Sequence, residues 1–265
     1  MTRFDRDTAL ERVGPDEFTG RVDRGWWVVN APNGGYLASI MLRALTMTVD
    51  DPERSPRSLT VHYMRPAVEG PLTIHTTVER AGRSLSTVSA RLYQGDTYVA
   101  KALAAFSHRF PAIEFSDAQM PDVPGSDVAP EPPNLEGRMP PIFDRMDYRF
   151  AYGDLPFSGS DRSVIGAWMR LKNGRAPDPL LVPTLADGCP PSIFGRLSEP
   201  IPAPTIDLTV HFRNPLALED ADPDDFLFAV FRSRVGAEGF FEEDGEIYSK
   251  TGILLAQSRQ LALLR

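Results

Sequence analysis

Asp187, in "ADGCP", and Gln260, in "AQSRQLAL", are a carboxylate and an amide set among small and apolar residues. The chain nearly repeats itself, and the repeat singles them out. Residues 58–66 read "SLTVHYMRP" and residues 207–215 read "DLTVHFRNP", identical at five of nine positions, with Tyr63 exchanged for Phe212 at a sixth. Aligning Ser39-Ile40 with Ser192-Ile193 puts Asp187 on Gly34, and aligning Ala100 with Ala256 puts Gln260 on Ala104. A purely structural repeat has no need of a carboxylate and an amide in one copy where the other has Gly and Ala, so the asymmetry points to one working site per chain. An aspartate can act as general base toward a water, a contribution of about 10²- to 10⁴-fold, and hydrogen bonds from an amide can fix that water in place. Both residues also have structural readings. Asp is a favoured helix N-cap, and Gln on an apolar strand can be a structural amide satisfied by its neighbours.

These residues need elements to hold them. "NGGYLASIMLRALTM" carries apolar residues at Leu37, Ile40, Met41, Ala44, Leu45 and Met47, a helix beginning after Asn33 and a glycine pair. "SLTVHYM" alternates Leu59, Val61 and Tyr63 with Ser58, Thr60 and His62, a half-buried strand. "LTIHTTVERAG" and "STVSARLYQGDTYVAKALAAFSH" continue as strands, with "QGD" at a hairpin turn. The second half repeats the order. "TLADGCPPSIFGRL" is expected as a helix with Pro190 and Pro191 in its first turn and a cap near Asp187. "TIDLTVHF" and "DDFLFAVFRSRVG" follow as strands, and "GFFEEDGEIYSKTGILLAQSRQLALLR" as a hairpin with "EDG" at the turn. "GRVDRGWWVVN" and "SVIGAWMRL" are weaker strand signals preceding the helices. The expectation is an α+β chain of two units, each a long helix packed across a curved antiparallel sheet: residues 1–110, a proline-rich linker over 111–141, and residues 142–265.

Composition narrows the function. At 265 residues and 42% hydrophobic content the chain can bury one large core or two of roughly 120 residues each. A net charge of -8, with no Lys/Arg cluster interleaved with exposed aromatics, argues against a nucleic-acid surface. The single cysteine, Cys189, cannot form an internal disulfide, and "MTRFDRDTAL" lacks the apolar core of a signal peptide, so a soluble cytoplasmic protein without a membrane span is expected. There is no G-x-S-x-G elbow, phosphate loop or dinucleotide fingerprint, and the four histidines lack metal-ligand spacing, so neither cofactor nor metal is implied.

The order of these elements, the doubled "LTVH(Y/F)" strand and the paired "NGGYLASI" and "ADGCPPSI" segments resemble the acyl-CoA thioesterase II family, a double hotdog fold. The resemblance spans nearly the whole chain and is weakest in the linker and residues 1–25. It implies a water held by an Asp at the start of the second helix, a Thr at the start of the following strand and a Gln on the last strand. Those positions are Asp187, Thr205 in "PTIDLTVHF" and Gln260. It further implies an acyl-CoA substrate, hydrolysis to free fatty acid and CoA, and a place in fatty acid metabolism. A thioester carbonyl is a reactive electrophile with a good leaving group, so an oriented water suffices where a covalent nucleophile is not available. Backbone amides at the helix start, Gly188 among them, are candidate oxyanion donors.

Competing readings stay open. Thr205 also suits an ordinary β-branched strand position. His62 and His211 occur in both copies, which favours packing over catalysis, and Cys189 reads as a buried small hydrophobe. Trp26-Trp27 can line an acyl pocket or belong to the core. Arg65, Arg80, Arg83 and Arg91 can form a basic patch for CoA phosphates or a solvated face. The alternative functions are a non-hydrolytic acyl-thioester binding protein and a hotdog hydratase or dehydratase; the latter use an Asp/His pair, and no His closely follows Asp187. Exposed sheet edges leave homo-oligomerisation open.

Overall fold

In the computed structural model, which describes residues 1–132, 139–218 and 221–264, the two copies of the repeated strand pair with each other. β3 (Ser55–Tyr63) and β9 (Thr205–Phe212) run antiparallel with Thr60 opposite Thr209, Leu59 opposite Val210 and Val61 opposite Leu208. This register is symmetric about Thr60 and Thr209, whose hydroxyls meet at 3.0 Å. The duplicated sequence therefore serves a local two-fold axis, since a strand pairs with its own copy only if both present the same pattern. Leu59, Val61, Leu208 and Val210 are buried, whereas His62 and His211 are exposed.

The sheet extends from this seam in both directions. The first half contributes β1 (Leu10–Arg12), β2 (Glu17–Val22), β4 (Gly70–Ala81), β5 (Leu85–Gln94) and β6 (Thr97–Ser107), in the order β1-β2-β4-β5-β6-β3. The second half contributes β7 (Met146–Gly153), β8 (Val164–Leu171), β10 (Leu227–Arg232), β11 (Gly236–Ala237), β12 (Phe240–Tyr248) and β13 (Leu254–Leu263). Its order is β9-β13-β12-β10-β8-β7, with β11 paired to β12. The expected "QGD" turn joins β5 to β6, with Gly95 at φ +56° supplying the left-handed backbone of a two-residue loop.

After the short α1 (Arg3–Asp7), α2 (Gly34–Val49) lies against the first half's strands and buries Leu37, Ile40, Met41, Ala44 and Leu45. Each large apolar side chain removed from water is worth about 1.5–3 kcal/mol. Asn33 caps this helix by accepting the Tyr36 amide at 2.8 Å. Trp26 and Trp27 are core residues; the Trp26 ring stacks on Tyr36 with centroids 5.0 Å apart.

Two expectations are corrected. Among its described residues the second half has no long helix. α3 (Val182–Ala186) spans five residues and stops at Asp187, and a separate 3₁₀ turn covers Ser192–Arg196. Pro190 and Pro191 break the helix instead of starting it, because proline lacks an amide hydrogen and drives the residue before it out of helical geometry. Asp187 is consequently the C-terminal boundary of α3 and no N-cap. The second correction concerns "EDG", which lies inside β12; the reversal falls at residues 249–253, with Gly252 at φ +84°. Gly245 is glycine because a Cβ there would lie 2.3 Å from the Ser258 hydroxyl and 2.8 Å from the Phe231 ring.

Between the halves, residues 108–132 carry no helix or strand. Part of this segment covers the outer face of the second half's sheet. Trp168 Nε1 donates to the Pro124 carbonyl at 2.9 Å, and Met120, Val123 and Ala129 pack on Trp168, Phe228 and Tyr248. That cover explains why "FLFAVF" reads as a continuous apolar run: β10 is buried on both faces. Linker residues 133–138 lie outside the described residues. Among the described residues, no helix is long and apolar enough to cross a membrane.

Candidate active site

The second half's Asp187 carboxylate sits on the amide end of the first half's helix. Its Oδ2 accepts from the Gly35 amide at 3.0 Å and from Asn33 Nδ2 at 2.9 Å, and Asn33 Nδ2 also donates to the Asp187 carbonyl at 2.5 Å. The N-terminus of a 16-residue helix carries partial positive charge and free amides, so a carboxylate is favoured there. Burial works against this and prevails: it pushes the Asp187 pKa up to about 6, with the Gly35 and Gly34 amides pulling it back. The residue as a whole is half-buried. A carboxylate poised near neutrality is suited to take a proton and give it back.

Close packing explains the glycine pair. A Cβ on Gly35 would lie 2.2 Å from the Pro183 carbonyl oxygen, and one on Gly34 would lie 3.1 Å from the Tyr63 hydroxyl and 3.2 Å from Asp187 Oδ2. Tyr63, at the end of β3, donates to the Gly34 carbonyl at 2.7 Å and closes the site on that side. Gly34→Asp puts a second carboxylate against the first, and like charges resist joint ionisation. We expect this variant to lose at least about tenfold in rate at pH 7, with the acid limb of its pH profile moved upward; an increase in rate contradicts the arrangement.

Thr205 and Gln260 meet directly. The Thr205 hydroxyl donates to Gln260 Oε1 at 3.0 Å, and Gln260 Nε2 donates to Glu243 Oε1 at 2.8 Å. Glu243 stands opposite Gln260 in the β12–β13 pairing, and its Oε2 accepts the Ser192 amide at 2.5 Å. Glu243 and Gln260 are buried. Burial pushes the Glu243 pKa up to about 7, with the Asp187 charge adding a smaller push in the same direction.

Of the expected site residues, Thr205 and Gln260 are in contact, whereas Asp187 hydrogen-bonds among the described residues to Asn33 and Gly35 and to neither of them. Gly188 does not hold the expected place. It follows the C-terminal end of α3, its amide is committed to the Leu185 carbonyl at 3.1 Å, and its carbonyl accepts from Tyr148 at 3.0 Å. The Cys189 thiol is pushed up by burial, with Glu243 adding to the shift, which disfavours the thiolate that a nucleophile requires. Asn33, Tyr63 and Glu243 are the residues that sequence reasoning missed. For Glu243 the signal was present: Phe241, Glu243, Gly245 and Ile247 alternate inward along β12, a period-two pattern hidden by reading "EDG" as a turn.

A curved antiparallel sheet doubled about a local two-fold axis, with a helix across the first half and one polar site between the halves, defines a double hotdog protein. Residues 23–107 match the acyl-CoA thioesterase N-terminal domain and residues 120–264 the acyl-CoA thioesterase C-terminal domain. The chain belongs to the acyl-CoA thioesterase family. Its structure is similar to a conserved protein of unknown function with hot dog fold from Alicyclobacillus acidocaldarius, at 28% identity and TM-score 0.90, covering 100% of this chain and 98% of that one. It shares its fold with an acyl-CoA thioesterase II, TesB2, from Mycobacterium marinum, at 22% identity and TM-score 0.80, covering 99% and 98%. An uncharacterized Mycobacterium tuberculosis protein is 24% identical over 274 residues, covering 93% of this chain and 90% of that protein.

Proposed function

We propose that this protein hydrolyses acyl-CoA thioesters to the free carboxylic acid and CoA, using a water held by Asp187 and Thr205, with Gln260 holding Thr205. The water oxygen bonds to the thioester carbon while Asp187 takes its proton. The tetrahedral intermediate then collapses, the C–S bond breaks, and the proton passes from Asp187 to the departing thiolate. Water supplies the hydroxyl of the new acid and the proton of the released thiol, and Asp187 ends unchanged. The observation that carries this reading is the Asp187 carboxylate, fixed on the α2 amides and raised toward neutrality, in a repeat whose other copy has Gly34 and Ala104 at the positions of Asp187 and Gln260.

The alternatives have less behind them. A hotdog hydratase or dehydratase needs a histidine beside the acid, but His62 and His211 are exposed on β3 and β9, and among the described residues no histidine bonds to Asp187. A non-hydrolytic acyl-thioester binder has no use for a buried carboxylate near its neutral point. A panel of saturated acyl-CoA esters from acetyl to palmitoyl, with trans-2-enoyl-CoA beside them, separates the three readings. Hydrolysis releases free thiol from both kinds of ester. Loss of enoyl absorbance without thiol release indicates hydration, and saturable binding without either indicates a carrier.

A further inference from the structure

We propose that Glu243 is a positioning residue that sets the direction of the Thr205–Gln260 hydrogen-bond chain, so that Thr205 meets the attacking water as an acceptor. The inference rests on the hydrolytic reading above and adds to it a residue that acts through Gln260. An ionised carboxylate only accepts hydrogen bonds. Oε2 of Glu243 is taken by the Ser192 amide, which leaves Oε1 facing Gln260. Gln260 must then present its NH₂ to Glu243 and its carbonyl to Thr205, and Thr205 must donate along that 3.0 Å contact. Only lone pairs remain on Thr205 Oγ1 for a water. A water held by both of its protons, one on Asp187 and one on Thr205, keeps an oxygen lone pair free to attack the thioester carbon. Reversing the chain turns the Thr205 proton toward the water, ties up one of its two lone pairs and takes away an acceptor for its second proton, which leaves a poorer nucleophile.

A purely structural role does not account for an ionisable carboxyl at this place. Glu243 is 3% exposed and among the described residues has no Lys or Arg partner, although an isolated buried charge is costly. A neutral acceptor would hold Gln260 equally well for packing alone. The titratable groups facing Glu243 are Asp187, beyond the end of α3, and Cys189 in the following turn. The remaining partners are the Ser192 amide and Gln260 on β13, with Thr205 of β9 behind Gln260. Protonated Glu243 can donate to Gln260 Oε1, flip the amide and reverse the chain. Two carboxyls then govern the acid limb of turnover: Asp187 must be ionised to act as base, and Glu243 must be ionised to hold the direction.

The test is Glu243→Gln, which fills the same volume and can still accept the Ser192 amide, but offers an NH₂ to Gln260 and locks the reversed chain. We expect kcat to fall on the order of 10- to 100-fold with KM near wild type. The acid limb of its kcat–pH profile is expected to have one ionisation where wild type has two. Wild-type kcat, or an acid limb that keeps both ionisations, overturns the proposal. An activity-independent readout is the Gln260 side-chain amide signal in ¹H–¹⁵N NMR of the full chain. In wild type it is expected to shift as Glu243 titrates near neutrality and in Glu243→Gln to stay constant. A signal that does not move with pH in wild type overturns the proposal even if the variant fails to fold. Absence of turnover on every ester defeats the hydrolytic reading, whereas the NMR titration still decides the role of Glu243.

Discussion

Asp187→Asn is expected to lower kcat for thioester hydrolysis by about 10²- to 10⁴-fold, the range for loss of a general base, while KM stays close to wild type. The asparagine carbonyl can still accept from the Gly35 amide and Asn33 Nδ2, so the site keeps its shape and loses only the group that takes the proton. Stability should move the other way. Burial holds the Asp187 pKa up at about 6 in the fold, against the ordinary value of 3.8 that it regains when unfolded. A carboxyl whose folded pKa is raised binds its proton more tightly in the native state; its contribution is fully present below the unfolded pKa and is lost as pH rises through the folded pKa. Wild type should therefore lose stability between about pH 4 and pH 6 on account of this residue, and the asparagine variant should not. At pH 8 the variant is expected to be more stable by on the order of 2–3 kcal/mol, a rise of several degrees in Tm, with the gap closing near pH 3. Turnover at the wild-type rate removes Asp187 from the chemistry. A Tm difference independent of pH removes the buried-charge account of its pKa.

Gly35→Ala is the second large effect, this time on the fold. The added Cβ would sit 2.2 Å from the Pro183 carbonyl oxygen and 2.9 Å from Asp187 Cβ. The first of these is backbone of α3, which cannot swing aside as a side chain tip can. Overpacking costs typically about 1–3 kcal/mol, and contact with backbone places this site at or above the upper end. Tm should fall by roughly 6–12 °C, at about 2–4 °C per kcal/mol for a chain of this size. Activity should fall with it, because the Gly35 amide holds the carboxylate. Gly236→Ala is the control: the nearest atoms to its Cβ lie at 3.7 Å and 3.9 Å, so neither Tm nor turnover should change. An unchanged Tm for Gly35→Ala means that α2 and α3 are not packed as closely as described.

What could be read from sequence, and what could not, follows from the range of the forces involved. β3 and β9 were legible because one buried face gives a strand its period of two, and α2 because its apolar residues recur at helical spacing. The asymmetry of Asp187 and Gln260 was legible because the chain carries its own comparison in the first half. The break after Ala186 was not, since a proline pair suits either a helix start or a helix stop, and the turn at Asp187 settles which. Glu243 was lost to a local rule: Glu-Asp-Gly resembles a turn, and nothing nearby in sequence reveals that Gly245 is there to clear Ser258 and Phe231. Asn33 and Asp187 are 154 residues apart, so their contact has no local trace at all.

The seam at Thr60 and Thr209 also bears on stoichiometry. Gly34 and Asp187 are aligned in the repeated sequence, and the Cβ that Gly34 lacks would stand only 3.2 Å from Asp187 Oδ2. Aligned positions that close to each other crowd the same place between the halves, where two acidic side chains resist joint ionisation. A symmetric pair of identical hotdog chains would have to leave this place empty or leave it doubly and unfavourably charged. Fusion into one chain lets one copy supply the acid and the other the room for it. Active-site titration with a tight-binding acyl-thioester analogue should accordingly rise linearly to a single break at one equivalent per chain rather than one per hotdog.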